Sequence, residues 1–222
     1  MGSLAPVPPV RPVGPAIVLY NTVENLPLQN IRVFSHWEPE LDGFDYDHTK
    51  YRPIKPYKTV SLLVDLFYLL PYRVHRPLIS MWVRPTYNKE FVKYALTVPF
   101  EVRKYRPTVI VSHVNYSLIY LLRRACPQAK LIYYHHGSNM HLRLSEVEWR
   151  KFTKAVDGII SVSKTAFDKV EESYGPIEVP TWVIHNGVDS TLFNPSVRRF
   201  RDEVRRRWGL KSEDFVFLYV GR

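Results

Sequence analysis

The segment L-I-Y-Y-H-H-G-S-N-M, residues 131–140, sets two imidazoles side by side where an apolar run meets a glycine. Imidazole is the side chain that most readily donates, accepts, titrates or ligates near neutral pH. Within a buried strand, consecutive histidines would turn to opposite faces, and one ring nitrogen would enter the core at a cost unless a partner met it. A crevice at the carboxyl end of a parallel strand explains His135 and His136 better, because ligands collect there. A metal site built from His113, His135, His136 and His141 is the competing chemistry. It lacks an H-E-x-x-H spacing and a nearby carboxylate triad, so no metal is expected. The single Cys126 excludes an internal disulfide and a cysteine-rich zinc site, and the absence of G-x-S-x-G excludes the usual serine hydrolase.

Two further polar stretches follow apolar runs in the same way. In D-G-I-I-S-V-S-K, residues 157–164, Ser163 stands where it would N-cap the next helix. In V-P-T-W-V-I-H-N-G-V-D-S-T-L-F-N-P, residues 179–195, Trp182 to Ile184 reads as a strand. Asn186-Gly187 supplies a positive-φ turn, Asp189 is placed to accept backbone hydrogens in its own loop, and Phe193 calls for an apolar socket.

The elements that must carry these stretches are regular from residue 108 onward. Strands are expected at 108–112, 130–134, 158–162 and 182–184, with helices at 116–124, 146–156 and 164–174 between them. Short apolar strands alternating with amphipathic helices predict a Rossmann-like parallel sheet flanked by helices, an α/β fold. The first half is less periodic. Residues 1–15 are proline-rich, with Leu4–Val7 as a clipped first strand, Ala16–Leu26 as a helix and Ile31–Phe34 as a second strand. Residues 38–58 read as a long surface connection, and Val60–Leu70 as the most apolar helix. In 72–85, Ile79, Met81 and Trp82 interleave with Arg73, Arg76 and Arg84, which suits either a buried helix pair with a solvated rim or a patch facing an anionic lipid or an acceptor. Tyr87–Tyr105 is a helix pattern interrupted at Pro99. A basic helix over 196–209, capped by Gly209 and facing solvent, precedes a strand over 215–220 that ends in Gly221-Arg222.

Taken with H-H-G, S-V-S and F-L-Y-V-G-R, the I-H-N-G-V-D-S-T-L-F-N-P run resembles the N-terminal half of retaining GT-B glycosyltransferases, the large group-1 nucleotide-sugar family. The likeness spans roughly residues 4–222 and is most specific from 129. It implies two facing Rossmann-like domains, the first holding the acceptor and the second the nucleotide-sugar. The domain boundaries it implies are an acceptor-side domain over 1–195, with a helical insertion around 59–105, then a linker helix and the first strand of a truncated donor-binding domain over 196–222. His136 matches the histidine that touches the transferred sugar or supports the reacting centre. Arg222 and Gly221 match the V-G-R that stabilises the leaving diphosphate. Gly14 stands where the pattern has two adjacent glycines near the phosphates, though here Pro15 follows it. His135, Ser163, Asn186, Gly187 and Asp189 would support the cleft and its loop. The reaction implied is transfer of a hexosyl-type sugar to an acceptor hydroxyl with retention, by front-face attack and without a covalent nucleophile or a metal. The acidic E-x-x-x-x-x-x-x-E donor motif is not in this chain, so the resemblance implies a fragment inactive without its donor-binding partner. The acceptor itself is left open among a glycan, a lipid-linked and a small-molecule species.

A net charge of +10 favours anionic partners: nucleotide phosphates, acidic lipid head groups or nucleic acid. No recognition motif accompanies the basic run, so nucleic acid is not expected. No stretch reaches the roughly 18 apolar residues of a spanning helix, and Met1–Pro9 has no basic start or apolar core, which predicts a cytoplasmic location with peripheral contact at the inner membrane face. The sequon Asn115-Tyr116-Ser117 is accordingly read as chance. The reading from a different class is a noncatalytic α/β module that binds an anionic polymer or membrane through its basic face.

Overall fold

A computed structural model describes residue 7 and residues 14–27, 30–71, 89–113, 116–137 and 144–219. They form two compact units, Met1–Asn186 and Gly187–Arg222. The first unit opens with helix α1 (Gly14–Asn25), strand β1 (Val33–His36), a 3-10 turn (Pro39–Gly43) and strand β2 (Tyr51–Ile54). Helices α2 (Lys58–Tyr68) and α3 (Lys89–Lys104) follow. Then strands and helices alternate: β3 (Val109–His113), α4 (Leu118–Ala125), β4 (Lys130–His135), α5 (Glu146–Ala155), β5 (Gly158–Ser161), α6 (Lys164–Tyr174) and β6 (Thr181–Val183). β1 pairs with β2, and β3-β4-β5-β6 form a second sheet in that order, every pairing parallel.

The alternating half forms where the pattern predicts it, because each helix has a legible start and one apolar face. Ser145 and Glu148 close a reciprocal capping box on α5, with Glu148 accepting from the Ser145 amide at 2.7 Å. Gly175, at φ +79°, lets the chain leave α6 in a conformation that favours glycine. Tyr133 of β4 and Ile119 and Phe152 of α4 and α5 are fully buried in the main core. Each such side chain contributes about 1.5–3 kcal/mol of transfer free energy. The Tyr133 ring meets Phe152 edge-on at 5.2 Å, and Trp149 stacks on Tyr174 of α6 at 4.8 Å.

The sheet's amino-terminal end is closed by polar groups. From the last turn of α4, the Arg123 guanidinium donates to the carbonyls of Ala129 (2.9 Å) and Ala155 (3.0 Å) and pairs with Asp157. Asp157 in turn accepts from the Leu131 amide at 2.8 Å. The guanidinium therefore satisfies the orphan Ala155 carbonyl at the end of α5 and the Ala129 carbonyl before β4, tying α4 to α5, β4 and β5. At the start of β5, Gly158 lies beneath Trp182 of β6. A β-carbon there would stand 2.5 Å from the indole ring.

Four expectations are corrected. Residues 38–58 are not a loose connection: they hold the 3-10 turn and β2, whose Tyr51 is buried, stacks on Tyr20 and donates to Glu24 at 2.6 Å. Long-range packing on α1, rather than strand propensity, secures that element. Pro99 does not interrupt α3; it sits buried inside a continuous helix on a face with Phe91, Ala95, Val98 and Val102. Packing there outweighs the lost amide and the ring's clash with the preceding turn. The Phe193 ring has no socket, being 73% exposed. Residues 215–219 form no strand, and Phe217 is 92% exposed, because no neighbouring strand pairs with them among the described residues.

Strand and helix ends otherwise shift by a few residues, as in β1 at Val33–His36 for the expected 31–34. Of the clipped first strand only Val7 is described; its amide donates to Ser35 Oγ at 3.0 Å. The interleaved stretch 72–85 and Gly221-Arg222 lie outside the described residues.

The second unit is built from short-range bonds. Asp189 Oδ1 accepts from the Thr191 amide (2.8 Å) and hydroxyl (2.6 Å), and Asn194 caps a 3-10 helix (Pro195–Phe200) that runs into α7 (Arg201–Arg207). Gly209, at φ +68°, ends α7, donating to Arg206 O while the Leu210 amide donates to Arg205 O. That pair of hydrogen bonds is the Schellman arrangement. As expected, the other arginines of this stretch are exposed, whereas Arg205 is half-buried and donates to the carbonyls of Lys211 and Asp214.

Candidate functional site

Because the four strands of the second sheet are parallel and in register, their carboxyl ends meet along one edge. His113 ends β3, His135 and then His136 end β4, Ser161 to Ser163 leave β5, and Ile184 to Asn186 leave β6. Polar residues at this edge cost little, since the sheet's hydrogen bonding stops there and water or ligand can reach them.

His113 Nδ1 and His136 Nε2 lie 2.9 Å apart. Tyr134 lies against both rings, stacked on His136 with centroids 4.5 Å apart and tilted to His113 at 4.9 Å. Burial drives the His113 pKa down to about 3, helped by the neighbouring His136, and drives His136 down to about 4. Both rings are therefore neutral near pH 7. They share a single N–H···N hydrogen bond and offer hydrogen bonding rather than positive charge. Gly137 follows at φ +71°, turning the backbone sharply after the His136 ring has been set.

The same edge is stitched to β6. The Tyr134 hydroxyl donates to Ile184 O at 3.3 Å, and His185 Nδ1 donates to Val162 O at 2.9 Å. Since a carbonyl only accepts, His185 carries a hydrogen on Nδ1.

The other residues singled out in the sequence fall as follows. His135 is buried within β4 beside the Tyr133 ring, facing away from the His113–His136 pair as strand alternation requires. Ser163 Oγ caps α6, accepting from the Ala166 amide at 3.2 Å. Gly14 opens α1 with open space around its α-carbon. Asn186 is the last residue of the first unit, and Gly187 and Asp189 belong to the second. Arg222, Gly221 and His141 lie outside the described residues. Among the described residues, no three histidine, cysteine or acidic side chains converge to hold a metal ion.

A model of Glycosyltransferase Family 4 matches residues 14–192, most of the chain and all of its second sheet. The chain belongs to that family. None of the curated proteins compared with it matches. Family membership fixes the general chemistry as glycosyl transfer from a nucleotide-sugar, and the helix-flanked parallel sheet is the Rossmann-like half of a GT-B fold.

His113 escaped the sequence reading as a partner of His136. His113 drew notice there only as a metal ligand, 23 residues from His136. The available signal was that a histidine closes two successive apolar strands, V-I-V-S-H and L-I-Y-Y-H-H. His36 likewise closes β1, with its ring edge-on to Tyr94 at 5.7 Å and its pKa lowered by burial.

Proposed function

We propose that this chain supplies the acceptor-side half of a transferase that moves a hexosyl-type sugar from a nucleotide-sugar to an acceptor hydroxyl with retention. A donor-binding domain completes the site. The observation that carries the reading is His136 at the carboxyl edge of the parallel sheet, neutral and held between His113 and Tyr134. A neutral imidazole can hydrogen-bond a sugar hydroxyl without drawing proton or charge from the breaking bond. The leaving diphosphate then takes the acceptor's proton, and the acidic, donor-side work falls to other groups. In this reading Arg222 and Gly221, with Gly14, meet the diphosphate, Asn186, Gly187 and Asp189 shape the loop around it, and Ser163 supports the cleft only as the cap of α6. His135 holds the strand beneath. The test is nucleotide-sugar turnover by the protein joined to its donor-side domain, followed by anomeric analysis of the product. We expect retention, and a loss of about 10²–10³-fold in turnover for His136→Ala, the scale of a positioned group acting at the transition state. Inverted product, or undiminished turnover in the variant, would sink the proposal.

One observation favours a membrane-borne acceptor. Leu62, Leu63, Leu66 and Leu69 recur at helical spacing on and just after α2, and all are exposed, Leu69 at 80%. No membrane-spanning helix occurs among the described residues. A leucine face of this kind on a basic protein suits shallow insertion among anionic lipids. Sedimentation with anionic phospholipid vesicles should show binding that weakens with salt and falls about tenfold or more in Leu63→Asp/Leu66→Asp, given about 1.5–3 kcal/mol per buried leucine. Equal binding by the double variant would remove the reading.

A further inference from the structure

The contact between His113 and His136 holds more than proximity. Two neutral imidazoles with facing nitrogens 2.9 Å apart must place one hydrogen between them. Either His113 donates from Nδ1, which forces both rings into the form protonated on Nδ1, or His136 donates from Nε2, which leaves both protonated on Nε2. A neutral histidine side chain intrinsically prefers its hydrogen on Nε2, so the second arrangement satisfies both rings at once. The nitrogen a ring uses for one bond decides what the other nitrogen offers.

We propose that His113 is a positioning residue, whose Nδ1 accepts the Nε2 hydrogen of His136 and locks His136 in one tautomer, leaving its Nδ1 as an acceptor for a substrate hydroxyl. The inference rests on the reading of His136 as the group at the reacting centre. Two structural facts make His113 suited to the task. It ends β3 in register with Tyr134, so its backbone is fixed by the sheet. The Tyr134 ring lies against both imidazoles, so neither ring can turn over without displacing it. Among the described residues, the titratable groups against the His136 ring are His113 from β3 and Tyr134 from β4. The Tyr134 hydroxyl is already committed to Ile184 O. No charged group therefore competes for the shared hydrogen among these contacts.

The consequence is a sense of direction. His136 accepts from a sugar hydroxyl rather than donating to the ring or bridging oxygen, so it orients the sugar and does not act as an acid. His113 touches no substrate in this scheme and works through its neighbour.

The experiment is nitrogen-15 spectroscopy of protein labelled at histidine, which reads the tautomer directly. The expected spectrum of the wild type shows His136 protonated on Nε2 and bare on Nδ1 between about pH 5 and pH 8. In His113→Phe, which keeps a ring but removes the acceptor, the lock is lost and the two tautomers mix. His113→Asn, whose Oδ1 can stand near the place of the lost Nδ1, restores it. In the complete enzyme, His113→Phe should lower kcat about tenfold with little change in KM for the donor, the scale of one lost hydrogen bond, and His113→Asn should recover most of that. A wild-type His136 bearing its hydrogen on Nδ1, or an unchanged His136 spectrum in a folded His113→Phe, overturns the proposal. The wild-type spectrum decides the tautomer even if no nucleotide-sugar is turned over, so a failure of the functional reading is separable from a failure of this one.

Discussion

The two ends of the four-stranded sheet solve the same problem in opposite ways. At the amino end, the Arg123–Asp157 pair keeps its full charge and meets Ala129, Ala155 and Leu131 with hydrogen bonds. At the carboxyl end, His113 and His136 sit 2.9 Å apart and give up charge altogether. The amino-end groups have every geometric reason to be stabilising, because each donor finds an acceptor on another element. The carboxyl-end groups pay for burial with their basicity and leave hydrogen-bonding capacity to spare. One end is a fastening and the other the proposed site.

Substitutions should separate the two roles. The widest contrast is expected from His136→Ala, which removes most of the turnover while the melting temperature stays within about 2–4 °C, a loss no larger than about 1 kcal/mol. Calorimetry beside a turnover assay checks it, and a melting shift that accounts for the lost activity would make the carboxyl end a second fastening.

The mirror image is Arg123→Ala. It should cost about 2–4 kcal/mol of stability, by leaving the Ala129 and Ala155 carbonyls and one side of the Asp157 carboxylate without their guanidinium, yet leave the turnover of the remaining folded protein near that of the wild type. Denaturant unfolding gives the number; a cost under about 0.5 kcal/mol would reduce the cluster to an ordinary surface ion pair.

Acid should dismantle the two ends in sequence. The histidine pKa values are depressed in the fold, so the unfolded chain binds more protons below about pH 6.5 and stability falls from there toward pH 4. Asp157 is held below the usual carboxylate range by the Leu131 amide and then by Arg123. Its contribution is intact above about pH 4 and is lost only as pH falls further through the folded value. A stability profile should therefore flatten between pH 6.5 and 4 in His113→Phe, and below pH 4 in Asp157→Asn. If each variant altered the other's window instead, the contrast would be wrong.

The smallest effect is expected at Ser163, which lies at the carboxyl edge but serves as a helix cap. Ser163→Ala should cost about 1 kcal/mol and spare turnover. A large loss of turnover without that cost would move Ser163 from the scaffold to the cleft.

What could be read ahead of the structure follows from range. Residues 108–184 were legible because each strand is a short apolar run and two of the three helices carry their own cap, as with Ser145, Glu148 and Ser163. The place of His136 at a strand end was legible because its neighbours Tyr134 and Gly137 mark a strand ending in a turn. β2 was not, since Tyr51–Ile54 contains a proline and owes its place to Tyr20 and Glu24, some thirty residues away. The continuity of α3 through Pro99 depends on packing that no local pattern announces. His113 shares that difficulty: its contact with His136 exists only once β3 and β4 lie side by side.

Gly158 sets a rule for sequence variation at the far edge of this sheet. With the Trp182 indole 2.5 Å from where a β-carbon would sit, positions 158 and 182 are coupled in volume. Gly158→Ala alone should push the indole off β5, whereas combining it with Trp182→Leu should relieve most of the clash and leave only the 3.1 Å approach to the Pro180 carbonyl. Homologous chains are then expected to trade bulk between these two positions, glycine facing an indole in some and a larger residue facing a smaller one in others.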